Sequence, residues 1–244
     1  MDTGPSPWPP PDATETAGLA IARARVRERI GRACDAVGRD PATVTLVAVS
    51  KLVPTIRIRA AVAAGLELFG ENRVQEASAK VGEVAGARWT LVGPLQSNKA
   101  RLAVQTFDAI QTVDSFELAR RLDRLAGELR TAPLPVLLQV NVDADPSKAG
   151  IPPGAVAGML PELLALSHLR LDGLMTIGRL ASEAEAARPT FRALRGLSER
   201  LRARFAGLGA ALSMGMSDDF PVAVEEGATI VRVGRALFGE RPTG

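Results

Sequence analysis

Val44-Thr-Leu-Val-Ala-Val-Ser-Lys51 is apolar at Val44, Leu46, Val47, Ala48 and Val49 and then ends on Ser50 and Lys51. A strand apolar at successive positions is buried on both faces, the habit of strands in a parallel sheet covered by helices. An ammonium at its end is costly to desolvate unless it is paired, neutral or covalently occupied. Two readings of Lys51 stay open on this segment alone. It is a rim lysine pointing into water, or a desolvated lysine whose lowered pKa makes it a nucleophile toward carbonyls.

Outward from this strand, strand-like and helix-like segments alternate to the end of the chain. The strand candidates are Thr43–Ser50, Leu66–Gly70, Arg88–Gly93, Ala109–Val113, Pro135–Val142, Leu171–Ile177, Ala211–Met216 and Thr229–Val233. Helices are expected at Glu15–Val37, Thr55–Ala64, Val74–Val84, Asn98–Thr106, Ser115–Leu129, Gly154–Leu166, Glu183–Ala206 and Asp218–Glu226. About eight βα repeats predict an α/β fold, a single-domain (β/α)8 TIM barrel. A doubly wound open sheet fits less well, because no Gly-x-Gly-x-x-Gly follows the first strand. The Pro-rich start, Met1 to Asp12, lacks the basic and apolar regions of a signal peptide. Residues 1–14 therefore read as a disordered tail and 15–244 as the barrel.

Composition excludes several classes. With 30 basic and 27 acidic residues the net charge is only +3. One His and no Tyr leave little to titrate between carboxylates and lysines, so the pI of about 9.6 overstates the basicity. Arg192, Arg195, Arg200, Arg202 and Arg204 interleave with Phe191, Leu194, Leu201 and Phe205 at helical spacing, which describes a solvated helix face and no nucleic-acid partner. No run is long enough for a membrane span. The lone Cys34 leaves no internal disulfide framework and reads as a buried hydrophobe, and the expected location is cytoplasmic.

In a barrel, active groups gather at the C-terminal ends of strands. Polar residues interrupt the apolar runs there: Lys51, Gly70-Glu71-Asn72, Gly93 to Lys99, Asn141, Met175-Thr176, Ser213 to Asp219, and Arg232 to Arg235. The segments after the last two strands have the makings of a phosphate site. Gly234 permits close backbone approach, Ser213 and Ser217 carry hydroxyls, and residues 235–238 can form a short helix. Tight turns at Gly215 and Gly234 are the plainer explanation of the same glycines.

The motifs Ala48-Val-Ser-Lys51, Phe69-Gly-Glu71-Asn72-Arg-Val-Gln-Glu76, Val92-Gly-Pro-Leu-Gln-Ser-Asn98-Lys99, Lys148-Ala-Gly150, Gly173-Leu-Met-Thr-Ile177, Ser213-Met-Gly-Met-Ser-Asp-Asp219 and Val231-Arg232-Val-Gly-Arg-Ala-Leu-Phe-Gly239 run in order from about residue 20 to 240. Together they resemble the pyridoxal-phosphate homeostasis proteins, relatives of the N-terminal barrel of alanine racemase (fold type III). The resemblance implies that Lys51 carries pyridoxal 5'-phosphate as a Schiff base. It places the phosphate among Ser213, Ser217 and the backbone of Gly234 and Arg235, Arg232 against the pyridine nitrogen, and Asn72 beside the cofactor. Two departures stand out. Thr90 stands where relatives usually have a histidine, and Arg235 where they often have a small hydroxyl residue.

The implied chemistry is weak. Arginine is a poor proton donor to the pyridine nitrogen. A racemase needs a second base, which alanine racemase draws from a tyrosine of a further domain, and this chain has no tyrosine. His168 falls at the opposite barrel rim. The expectation is a carrier that holds the cofactor reversibly, maintains its homeostasis without strong catalysis and hands it to apo-enzymes, as a monomer. The alternatives are a racemase or another pyridoxal-phosphate enzyme, and a class I aldolase whose lysine attacks a sugar phosphate. Lys99 and Lys148 read as rim loop lysines, Asp218 and Asp219 as helix caps, and Glu71 and Glu76 as partners of Arg73 or other nearby cations.

Overall fold

The computed structural model describes residues 11–178 and 183–240. Eight parallel strands close into a barrel in chain order: β1 (Thr45–Val49), β2 (Leu68–Glu71), β3 (Arg88–Leu91), β4 (Ala109–Val113), β5 (Leu134–Gln139), β6 (Leu169–Met175), β7 (Ala211–Ser213) and β8 (Ile230–Val233). All eight lie where the sequence predicts them, with boundaries shifted by a few residues. The largest shifts, three residues at the C-terminal end, are in β5 and β7, expected to reach Val142 and Met216. Regular strand ends at Ser213, beside Gly215, which turns at φ +88° where an added Cβ would lie 2.5 Å from that of Ala223; the Gly215 carbonyl still accepts from Arg232 N–H at 3.0 Å.

The helices are α1 (Ala13–Asp35), α2 (Thr55–Ala63), α3 (Val74–Val81), α4 (Ala100–Thr106), α5 (Phe116–Leu129), α6 (Pro153–Leu164), α7 (Arg188–Arg204), α8 (Phe220–Glu225) and α9 (Arg235–Phe238). Helix α1 starts two residues earlier than expected, capped by the Asp12 carboxylate on Glu15 N–H at 2.8 Å. It packs on α2, α8 and α9 and so fills the outer ring where α9, one turn long, leaves a gap. Leu19, Val26, Ile30, Ala33 and Cys34 form its buried stripe. Cys34 is fully buried, as its reading requires, and burial pushes its thiol up. Of the expected tail, residues 1–10 lie outside the described residues.

Alternation along the strands divides the core. Leu46, Ala48, Phe69, Trp89, Val231 and Val233 pack outward against the helices. Their neighbours point into the barrel. Ser213 of β7 bonds Gln111 of β4, strands that are not adjacent, so this contact crosses the interior. Most TIM barrels fill this space with branched apolar layers. Here a polar layer occupies it, and that difference marks the functional end. No helix of the described residues is long and apolar enough to cross a membrane.

Candidate functional site

A cavity of about 370 Å³ opens at the C-terminal ends of the strands. Lys51, Asn72, Ser217, Arg232, Gly234 and Arg235 line it, joined by Lys148 and by the apolar Val49, Val92, Ile177 and Met216. Six of the seven site residues singled out in the sequence thus meet in one place. A larger open groove of about 570 Å³ runs along α7, but Arg188 there is spent on Glu185, Glu225 and Glu226. Arg192 and Arg195 also pair with Glu226, as a solvated helix face would.

Ser213 is the seventh, and it lies below the cavity floor. Its hydroxyl donates to Gln111 Oε1 at 2.6 Å and accepts from Arg232 Nη1 at 2.6 Å. It positions Arg232 instead of facing the cavity. Arg232 Nη2 donates to the Thr176 carbonyl at 2.7 Å. Burial pushes the guanidinium down to about 10, with nearby Asp219 opposing, so it stays charged at neutral pH. Asp219 sits at the start of α8 but makes no capping bond, contrary to its sequence reading. Its carboxylate instead accepts from Met216 N–H at 2.6 Å. Burial pushes this carboxyl up, with the Met216 bond and the Arg232 charge pulling the other way.

Ser217 Oγ accepts from Gly234 N–H at 3.3 Å and Ala236 N–H at 3.5 Å, so the β7 and β8 loops meet at one hydroxyl. Asp218 also departs from the capping expectation, because it forms an ion pair with Arg235 across these loops. On the far wall, Asn141 knits its own loop through the carbonyls of Asp145 and Lys148 at 2.8 and 3.1 Å. Lys148 donates to the carbonyls of Gly178 and Ile177 at 2.7 and 3.3 Å. Lys99 lies in a short 3-10 turn outside this cavity. Thr90 is buried, donates to the Ala109 carbonyl at 3.2 Å and does not line the cavity.

Lys51 follows β1 in a four-residue turn closed by Val53 N–H on the Ser50 carbonyl at 2.9 Å. The third residue, Leu52, sits at φ +64° and is 70 % exposed. Such a turn favours glycine there, and a leucine in this region costs about 1–3 kcal/mol. The sequence missed what holds it. Lys80 of α3, only 7 % exposed, donates to the Ser50 carbonyl at 3.0 Å, Glu71 Oε1 at 2.9 Å and Glu76 Oε1 at 2.6 Å. The cation that Glu71 and Glu76 share is therefore Lys80. The i,i+4 spacing of Glu76 and Lys80 was the available signal. Burial raises the Glu71 carboxyl against the bonds from Lys80 and Ser50. Burial also acts on Glu76, but the bonds from Lys80 and Leu52 N–H outweigh it and hold that carboxyl below its ordinary range.

The chemistry of the lining suits a small aromatic aldehyde bearing a dianion. It combines apolar walls, the Lys51 amine on a fixed turn, and hydroxyl, N–H and guanidinium donors. Comparison with known proteins agrees. Residues 21–242 match the family described as alanine racemase, N-terminal domain. A protein of Pseudomonas aeruginosa called pyridoxal phosphate homeostasis protein is 46% identical over 225 residues, 91% of this chain and 95% of that one. The PLP-bound structure of PipY from Synechococcus elongatus is 43% identical, with a TM-score of 0.80, over 91% of this chain and all of that one. An alanine racemase of Clostridium difficile shares the fold at 15% identity and a TM-score of 0.73, with 58% of its length covered. This chain belongs to the pyridoxal phosphate homeostasis protein family, within the wider group defined by the alanine racemase N-terminal domain.

Proposed function

We propose that this protein carries pyridoxal 5'-phosphate as a Schiff base on Lys51 and maintains its cellular homeostasis without strong catalysis. The observation that carries this reading is the convergence of Lys51, Asn72, Ser217, Gly234, Arg235 and the buried Arg232 on one cavity. The PLP-bound relative and the shared family support it.

In this reading Lys51 would hold the aldehyde end of pyridoxal 5'-phosphate as a Schiff base, with water as the by-product. Ser217, the Gly234–Ala236 backbone and the Arg235 guanidinium take the phosphate, a charge-assisted set of donors. Arg235 is released from Asp218 to do so, which replaces the missing hydroxyl of other family members. Asn72 would lie beside the ring and Arg232 would face the pyridine nitrogen, with Ser213 and the Thr176 carbonyl holding Arg232 in place. When bound, the cofactor supplies an electron sink for carbanions. Arg232 donates hydrogen bonds but gives up no proton at neutral pH, so it leaves that sink weak. The chain has no tyrosine, and Lys148 is committed to two carbonyls, so neither supplies the second base that racemisation needs. The proposal extends to a cytoplasmic monomer, with apo-enzymes as recipients.

The test is the absorbance of the protein soaked in pyridoxal 5'-phosphate, beside Lys51→Ala, followed by borohydride and location of the labelled peptide. Colour and label on Lys51, both lost in the variant, are expected. A colourless wild type would overturn the carrier reading. Rapid conversion of an amino acid would replace it with the enzyme reading.

A further inference from the structure

The turn that presents Lys51 is strained, and groups outside the barrel wall hold it. Ser50 and Leu52 flank Lys51, and each is tied to side chains at the end of β2 or on α3. The Ser50 carbonyl accepts from Lys80 Nζ at 3.0 Å, and Ser50 Oγ donates to Glu71 Oε1 at 2.7 Å. Leu52 N–H donates to Glu76 Oε1 at 2.6 Å. Lys80 closes the network by bonding both carboxylates. Glu71 is fully buried and Lys80 nearly so, among Val74 and Ala77 of the same helix.

A helix packed on a barrel has no stability reason to bury an ammonium here. Apolar residues of similar volume often match or exceed a buried ion pair in stability. The third bond of Lys80 explains the choice, because it reaches the carbonyl of the residue before Lys51. We infer that Glu71, Glu76 and Lys80 form a brace that positions Lys51, holding Leu52 at positive φ so that the amine faces the cavity. This rests on the reading of Lys51 as the aldehyde-binding amine. The three are positioning residues, for none of them lines the cavity.

The experiment measures the rate at which the full chain condenses with pyridoxal 5'-phosphate, by absorbance, with borohydride labelling as the end point. Glu76→Ala removes the acceptor of Leu52 N–H and is expected to slow condensation about tenfold or more. Glu76→Gln keeps an acceptor oxygen and is expected to stay within about threefold of the wild type. Adding Leu52→Gly to Glu76→Ala is expected to recover most of the lost rate, because glycine takes positive φ without strain. In the cofactor-free protein, the Leu52 amide is expected to exchange faster in Glu76→Ala while the β1 amides stay protected. Lys80→Met is expected to be slowed in the same way, and if it does not fold the Glu76 and Leu52 variants still decide. A labelled wild type with Glu76→Ala at an equal rate would overturn the brace alone. A loss of rate that Leu52→Gly does not recover would also overturn it, since the defect would then not lie in the turn. A wild type that takes no label would instead overturn the assignment of Lys51, and the brace with it.

Discussion

The two rims of this barrel handle charge in opposite ways. At the N-terminal rim, Arg170 and Asp172 pair at 2.6 Å with 63% and 32% of their side chains exposed, and Arg88 and Glu67 at 3.7 Å with 65% and 76% exposed. His168 lies there too, half in solvent beside Asp123, as its place in the sequence requires. Such pairs are worth about 0–1 kcal/mol each. At the C-terminal rim, Glu71, Lys80, Asp219 and Arg232 are all buried, and a leucine is held at positive φ. Buried ions of this kind stabilise little when complete and cost several kcal/mol when broken. The first rim uses charge for solubility, and the second accepts desolvation and strain to aim particular groups at a cavity.

Substitutions can break this contrast or sharpen it. Arg232→Met should have the largest effect on stability. It orphans the Thr176 carbonyl and takes a cation from Asp219, for a loss of about 3 kcal/mol in chemical denaturation. A neutral result would mean that the polar layer is relaxed without its arginine.

Gly93→Ala comes next. A Cβ at Gly93 would lie 2.2 Å from the Asn72 carbonyl oxygen, a backbone atom that cannot move without shifting the β2–α3 loop. A cost of about 1–3 kcal/mol is expected in the same measurement, with weaker cofactor retention because Asn72 lines the cavity.

Glu76→Gln tests the brace through pH. The folded protein holds the Glu76 carboxyl below its ordinary value of 4.5, so the ionised form favours folding. That contribution is present above about pH 4.5 and is lost as pH falls through the lower folded value. The wild type should therefore exceed Glu76→Gln in stability at pH 7, and the gap should close on acidification below pH 4.5. A gap that persists in acid would show that Glu76 acts through packing rather than charge.

Arg170→Ala, at the other rim, should cost no more than about 1 kcal/mol and leave cofactor binding unchanged. A larger loss would erase the distinction between the rims.

Much of this was legible in one dimension. Apolar runs of strand length between amphipathic helices predict the barrel because the burial pattern of a strand or a helix is a local property of the chain. The position of Lys51 at a strand end, and the Gly and Ser residues of the last two loops, marked the rim because a barrel places every C-terminal strand end on one side. Strand ends were less legible, as at β7, where regular strand stops three residues early beside the positive-φ Gly215.

By itself, then, the sequence determined the repeat, the rim and six of the residues that line the cavity. Only the tertiary structure decided how the polar groups are shared. Ser213 looked like a cavity hydroxyl, but strand register sets it across from Gln111, 102 residues away in the chain, and under Arg232. Asp219 looked like a cap, but it holds the Met216 backbone beside Arg232. Lys80 drew no notice in the sequence, and only the packing of α3 on β2 brings its ammonium to the Ser50 carbonyl, next to Lys51. The physical reason is the same in each case. Spacing along the chain fixes which face a side chain takes, whereas its partner is set by the closure of the barrel and the packing of helices around it.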